Sequence, residues 1–151
     1  MSSRIPAADS DELLRALADF RFELRRFLHF SECAALEAGL HPQQHQLLLQ
    51  VAGAPDGTAV TIAYAAKRLE LKHNSTVELV DRSEREGLLT RTEDVGDRRR
   101  AILHITRKGQ QVLGRLSSEH ARELNERGPR LAKALRQIGR YAEDAVPTVM
   151  Q

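Results

Sequence analysis

Residues 69–109 read LELKHNSTVELVDRSEREGLLTRTEDVGDRRRAILHITRKG, and their pattern decides the fold. A short polar turn, 70–74, separates one apolar-faced segment from another that begins near Ser75. Ser75 with Glu78 matches the S-x-x-E spacing of a capping box, where the two side chains satisfy each other's backbone amides. The spacing predicts a helix over about 75–86, with Val77 and Val80 turned inward and Gly87 ending it. Two β-prone runs, 88–92 and 101–106, then flank a charged loop that contains Gly96. Such a pair reads as a hairpin. Helix, tight turn, helix and charged hairpin together make a winged helix-turn-helix.

Upstream, Thr61 is placed to cap a helix with Ile62, Ala65, Ala66 and Leu69 inward. Before it, Pro42 suits the first turn of another helix, whose apolar face is Leu47, Leu48 and Val51. The segment 53–57, GAPDG, breaks that helix. The chain opens with a small, polar stretch, 1–10, expected to be a disordered tail, and Asp9, Ser10 and Asp11 offer helix caps. Leu13, Leu17, Phe20, Leu24, Phe27, Leu28 and Ser31 then recur at steps of three and four. They predict an amphipathic helix over 11–38, ended by Gly39. At about 1.5 Å per residue such a helix is roughly 40 Å long, more than a small core can cover. A partner chain is expected along Leu13, Leu17, Phe20 and Leu24.

Downstream, Thr106 is expected to cap a helix with Val112, Leu113, Leu116, His120 and Leu124 on one stripe. Gly128-Pro129 reads as a break before a last helix faced by Leu131, Leu135, Ile138, Ala142 and Ala145. The reading is therefore a mainly α chain with a small β-hairpin wing, in a single domain over 11–151. Its DNA-binding lobe is 42–106, the wing is about 89–106, and the flanking helices 11–38 and 107–146 serve dimerisation.

Composition narrows the function. The chain has 151 residues, 41% hydrophobic and 29% charged, which are ordinary globular values. A net charge of +2 does not by itself imply a nucleic-acid partner, so the placement of the cations decides. Cys33 is the single cysteine, so neither an internal disulfide nor a Cys-based zinc knuckle can form. No stretch approaches the roughly 18 apolar residues of a membrane span, and 1–10 lacks the apolar run of a signal peptide. The cytoplasm is the expected location. No nucleophile elbow, phosphate loop or clustered carboxylate pair appears, and neither an enzyme activity nor a cofactor is expected.

The chemistry falls at the start of the helix near Ser75 and at the hairpin tip. In a winged helix-turn-helix that helix enters the major groove of duplex DNA with its first residues near the base edges. Here these are Lys72, His73, Asn74, Ser75, Thr76 and Glu78. Asn can pair with adenine, and Thr can offer its methyl to thymine and its hydroxyl to phosphate. Glu78 can accept from cytosine or serve only as a capping partner. At the tip, Arg98, Arg99 and Arg100 are either a solvated charge run or, beside DNA, cations for the minor groove. Asp97 is expected to hold one of these arginines by a carboxylate–guanidinium pair.

These residues carry a family resemblance. Leu69-Glu70-Leu71, Ser75-Thr76-Val77, Leu79-Val80-Asp81-Arg82 and Glu86-Gly87-Leu88, in that order, resemble the recognition half of the MarR family. Gly96-Asp97-Arg98-Arg99-Arg100, Leu103, Ile105-Thr106 and Lys108-Gly109 are similar to its wing and the start of its fifth helix. The D-x-R element falls on Asp97 and Arg99. Gly39-Leu40 and Pro42-Gln43-Gln44 resemble the start of its second helix. The resemblance implies a homodimer knitted by the first, fifth and sixth helices, which adds Leu131, Leu135 and Ile138 to the interface. It also implies a pseudo-palindromic operator, with Arg82 among the contacts, and repression released by a small lipophilic or phenolic effector. Phe27, Phe30 and His45 are the candidates to line an effector pocket. Two positions depart from the family pattern. Glu70 stands where the turn often has Gly, and Ser83 replaces an inward apolar residue.

Other readings compete. Cys33 could sense redox state, although Glu32 and Glu37 beside it favour a quiet, semi-buried thiol. Glu32, Cys33, His41 and His45 could hold a metal, although Pro42 puts His41 at the helix start. A winged helix that binds only protein is the remaining alternative, and the arginine-rich wing argues against it.

Overall fold

The computed structural model describes residues 7–144. The elements run in the order α1 (Ala7–Glu37), α2 (Pro42–Ala52), α3 (Ile62–Leu69), α4 (His73–Arg85), β1 (Leu89–Glu93), β2 (Ala101–Ile105) and α5 (Arg107–Asp144). The chain divides into two compact units. One takes residues up to Ser31 and from His120 onward, and the other is Glu32–Glu119. The long helices α1 and α5 each contribute to both.

The unit 32–119 is the winged helix-turn-helix expected from the sequence. Its core is mainly apolar, with Ala35, Leu47, Leu48, Ala65, Val80, Leu89, Leu103 and Leu116 buried alongside a few polar residues, Gln44, Thr76 and Ser83 among them. His41 caps α2, its Nδ1 accepting from the Gln43 amide at 3.2 Å while its own amide donates to Gln44 Oε1. Thr61 caps α3 as expected, its hydroxyl accepting from the Tyr64 amide. Glu70 ends α3 in the left-handed region at φ 53°, the conformation for which glycine is the ordinary choice. The two strands pair antiparallel, Leu89 opposite Ile105 and Glu93 opposite Ala101. The Leu103 amide donates to the Val60 carbonyl at 2.8 Å, which ties the wing to the start of α3.

The start of α5 is fastened to the end of α4. Thr106 caps α5 through the Gly109 amide and donates its hydroxyl to the Gly87 carbonyl at 2.6 Å. Its amide bonds the Leu88 carbonyl. Gly109 is required here because a Cβ would overlap that same Leu88 carbonyl oxygen.

Three boundaries differ from the sequence reading. Helix α1 begins at Ala7, so Asp9, Ser10 and Asp11 lie inside it rather than capping it, and 7–10 are not tail. Residues 1–6 lie outside the described residues, as does Ala145. Helix α4 begins at His73 after an extended Lys72, with no side-chain cap, so the Ser75–Glu78 capping box does not form. Leu71 already bonds back to Ala66, and the Thr76 amide bonds Lys72, which starts the helix two residues earlier. Helix α5 is continuous through Pro129. An interior proline loses one backbone hydrogen bond and crowds the carbonyl four residues back, and Gly128, with no Cβ, removes only part of the crowding with the preceding residue.

The other unit pairs the first part of α1 with the last part of α5. Tyr141 donates to Glu12 at 2.7 Å, and His120 Nε2 meets the Ser31 hydroxyl at 2.8 Å. Phe27 and Phe30 present ring edges to His120, with centroids 5.9 and 5.2 Å away. Ala16 and Ala134 are buried, but Leu14, Leu17, Phe22, Leu28, Leu124 and Leu135 are exposed. Among the described residues no helix is long and apolar enough to cross a membrane.

Two substitutions probe this backbone. Glu70→Gly is expected to raise unfolding stability by about 1 kcal/mol, because the left-handed conformation then carries no Cβ penalty. Gly109→Ala is expected to lower it by about 1–3 kcal/mol through overpacking. Urea unfolding of both variants checks the pair, and no loss of stability in Gly109→Ala would contradict the close approach at Leu88.

Candidate nucleic-acid interface

Helix α4 divides sharply between its faces. Thr76, Val80 and Ser83 are fully buried, with 0% exposure each. The two buried hydroxyls are satisfied within the helix, Thr76 donating to the Lys72 carbonyl at 3.0 Å and Ser83 to the Leu79 carbonyl at 2.8 Å. This corrects the placement of Thr76: its side chain faces the core and is not available to a base edge. The inward stripe is 76, 80 and 83, with Val77 half-buried beside it. Ser83 occupies the inward apolar position with its hydroxyl turned back on the helix.

The opposite face is polar and open. Lys72, just before the helix, and His73, Asn74, Ser75, Glu78 and Arg82 on it are all exposed, so six of the seven residues expected here are open to solvent. Ser75 and Glu78 are thus exposed without forming the expected capping pair. Arg82 leans on Glu86 at 3.5 Å, an exposed pair of little energetic weight.

The wing is positioned by an ionic clamp that sequence reading missed. Arg91 on β1 reaches back to α4, meeting Asp81 and both oxygens of Glu84, the latter at 3.3 Å. Its guanidinium is held above its ordinary pKa, chiefly by the hydrogen bonds it donates to Glu84, with Asp81 adding to them against partial desolvation. The base of the wing is thereby braced against the helix. Acidic residues one turn apart on α4, followed by an Arg in the next strand, were the only signal for it.

At the tip, Arg98, Arg99 and Arg100 are exposed, as is Val95. Asp97 does not pair with a guanidinium as expected. Its carboxylate accepts from the Arg99 backbone amide at 2.9 Å and so shapes the turn. The pairing falls to Asp94, which meets Arg100 Nε at 3.0 Å and also accepts from the Gly96 amide. The physical reason is reach: a carboxylate two residues before an amide closes an Asx-type turn most readily. Asp94-x-Gly96 was the sequence signal for the same motif. The Gly96 amide first, and Arg100 second, hold the Asp94 carboxyl below its ordinary value. Arg98 and Arg99 have no carboxylate partner among the described residues.

The other expected sites fare differently. Phe27 and Phe30 fall in one compact unit and His45, 2% exposed, in the other. Leu13, Phe20, Leu24, Leu131 and Ile138 are half-buried, and Leu17 and Leu135 are exposed. Cys33 is exposed rather than semi-buried. Among the described residues no group of three or more His, Cys, Asp or Glu side chains could hold a metal.

Comparison with known proteins accords with this geometry. A family model for MarR matches residues 38–100, which covers α2 to the wing tip. A Thauera aromatica protein assigned as transcriptional regulator of the hcr operon is 30% identical over 120 residues, covering 76% of this chain and 70% of that one. The chain belongs to the MarR family of transcriptional regulators. Solved structures share the fold at lower identity. The MarR family transcription regulator SP03579 superposes with a TM-score of 0.72 at 18% identity, over 91% of this chain and 94% of that one. CouR from Rhodococcus jostii RHA1, bound to p-coumaroyl-CoA, gives 0.62 at 21% identity over 83% and 88%. The S. aureus MepR–DNA complex gives 0.58 at 19% identity over 79% and 97%.

The wing tip of this MarR protein carries a pH signature. A carboxyl with a depressed pKa stabilises the turn above its unfolded value and stops doing so as pH falls through the folded value. The Asp94 carboxyl is therefore expected to titrate below 3.8, with the Gly96 amide shift following it. Carboxyl-detected NMR checks this, and a midpoint at or above the ordinary value would contradict the turn.

Proposed function

We propose that this MarR protein is a homodimeric, sequence-specific binder of duplex DNA that acts in the cytoplasm as a repressor released by a small effector. The observation that carries the reading is the exposed polar face of α4 beside a braced wing whose Arg98 and Arg99 have no carboxylate partner among the described residues. In this arrangement Asn74, Ser75 and Glu78 face base edges, and Lys72, His73 and Arg82 take phosphates or flanking bases. Arg98 and Arg99 lie toward the minor groove, where the potential is most negative. Asp97 acts indirectly by fixing the backbone that presents Arg99.

Dimerisation is supported by the apolar side chains that α1 and α5 leave exposed, Leu14, Leu17, Leu124 and Leu135 among them. Single exposed leucines are ordinary on a monomer, but a run of them along two long helices asks for a partner surface. Leu13, Phe20, Leu24, Leu131 and Ile138 extend the same faces. The fold shared with a DNA complex of MepR and with a ligand complex of CouR supports a DNA partner and a small effector. The role requires no cofactor and no enzymatic step. Phe27 and Phe30 remain candidates to line an effector pocket within their unit, and His45 is a separate candidate within the unit 32–119.

Selection of genomic fragments by the purified protein at two salt concentrations tests the reading. One palindromic site is expected, with affinity falling steeply as salt rises, because phosphate contacts release counterions. Arg99→Ala should weaken binding to all duplexes and lower the salt slope by about one. Asn74→Ala should reduce discrimination between operator and random DNA by roughly 1–3 kcal/mol. Failure of the wild-type chain to retain any duplex at low salt would defeat the proposal.

A further inference from the structure

We propose that Asp94 is a positioning residue of the wing: it cancels Arg100 and so leaves Arg98 and Arg99 as the two tip cations that count toward a DNA backbone. This rests on the reading that the wing meets duplex DNA. The acid concerned lies outside the element of Asp97 and Arg99 that carries the family resemblance.

Three arginines in a row are equivalent in the sequence, but the wing holds them differently. The Asp94 amide donates to the Arg100 carbonyl at 3.2 Å, one step beyond the pair of Glu93 and Ala101. Asp94 and Arg100 therefore face each other across the mouth of the loop, where opposite charges on neighbouring strands attract. Arg98 and Arg99 instead fill the two corner positions of a turn, which the Arg100 amide closes on the Asp97 carbonyl at 3.0 Å. Both corner residues are exposed, and neither has a carboxylate partner among the described residues.

Both oxygens of the Asp94 carboxylate are in use. Oδ1 accepts from the Gly96 amide at 3.0 Å, which fixes the acid to the backbone of the tip. Oδ2 accepts from Nε and Nη2 of Arg100, the former at 3.0 Å. Those two nitrogens form one edge with which a guanidinium grips a phosphate by two parallel bonds. An exposed ion pair is weak by itself. Here, though, the Gly96 amide keeps the acid in place whether or not Arg100 stays. If Arg100 moved to a phosphate, it would leave an unpaired anion beside the DNA. The pair thus adds no net charge to the tip, and the low pKa of Asp94 keeps its carboxylate ionised at neutral pH.

Salt titration of duplex binding by the full chain tests this, with a mixed-sequence duplex as the probe. Asp94→Asn and Asp94→Ser each keep an oxygen for the Gly96 amide and remove the charge. Both are expected to steepen the salt slope by about 0.9, the share of one further phosphate, and to tighten binding about fivefold at physiological salt. Adding Arg100→Gln to Asp94→Asn should return the slope to the wild-type value. Adding Arg100→Lys instead should keep the steeper slope, because either cation neutralises a phosphate. An unchanged slope in both Asp94 variants, or a steeper slope that survives Arg100→Gln, would overturn the proposal and leave the regulator reading standing. Failure of the wild type to retain any duplex would defeat both.

Discussion

Around Gly87 and Leu88 four separate parts of the chain meet at three consecutive backbone carbonyls. The Leu88 carbonyl accepts from the Thr106 amide, the Gly87 carbonyl accepts from the Thr106 hydroxyl, and the Glu86 carbonyl accepts from Lys108. The first turn of α5 can come this close only because Gly109 has no side chain. The end of α4, the base of both strands and the start of α5 are thereby locked together. On the other side, Gln44 of α2 donates to the Glu86 carboxylate at 2.8 Å from a nearly fully buried position. Partly buried hydrogen bonds to a charged group are among the stronger polar contacts a fold can make. The direction in which α4 presents its polar face depends on this junction.

From there the polar arrangement of the unit 32–119 follows. Helix α4 places two hydroxyls in the core and satisfies each with a carbonyl one turn back, so it needs no partner from other elements there. Its carboxylates at Asp81 and Glu84 are turned to Arg91. Asp94 and Asp97 play the same part at the tip, each spending a carboxylate on backbone geometry. The acidic residues near the reading surface thus organise it. The cations at Arg98 and Arg99 stay available to an anionic partner. A small net charge of +2 is compatible with such a surface because the opposing charges are consumed locally.

Much of this was legible in the sequence. The apolar periods at 47, 48 and 51, at 62, 65 and 69, and along α5 specified helices, because burying one face is what holds a short helix in water. The hairpin, the Thr61 and Thr106 caps and the left-handed Glu70 were local features, each set by residues within a few positions. The family motifs were equally local, and they carried the reading from fold to role. The exposed residues of α4 were identified correctly apart from Thr76, because a helix start and its polar face follow from the same period.

What tertiary structure decided was anything resting on a choice between equivalent local solutions. Ser75 and Glu78 could have capped a helix, but the turn at Glu70 and Leu71 had already begun it at His73. Thr76 has the chemistry for a base contact, and only packing against the core removed it. Gly128-Pro129 has the composition of a break, yet α5 continues through it. The partner of each wing carboxylate depended on turn geometry, so Asp94 rather than Asp97 took the arginine. Arg91 found its acids across seven and ten positions of chain, and no period in the sequence records such a distance. The sequence by itself determined which elements form and which faces they bury, since those are nearest-neighbour and periodic properties. Which polar side chains are left for a partner is a matter of long-range packing, and only the folded chain decided it.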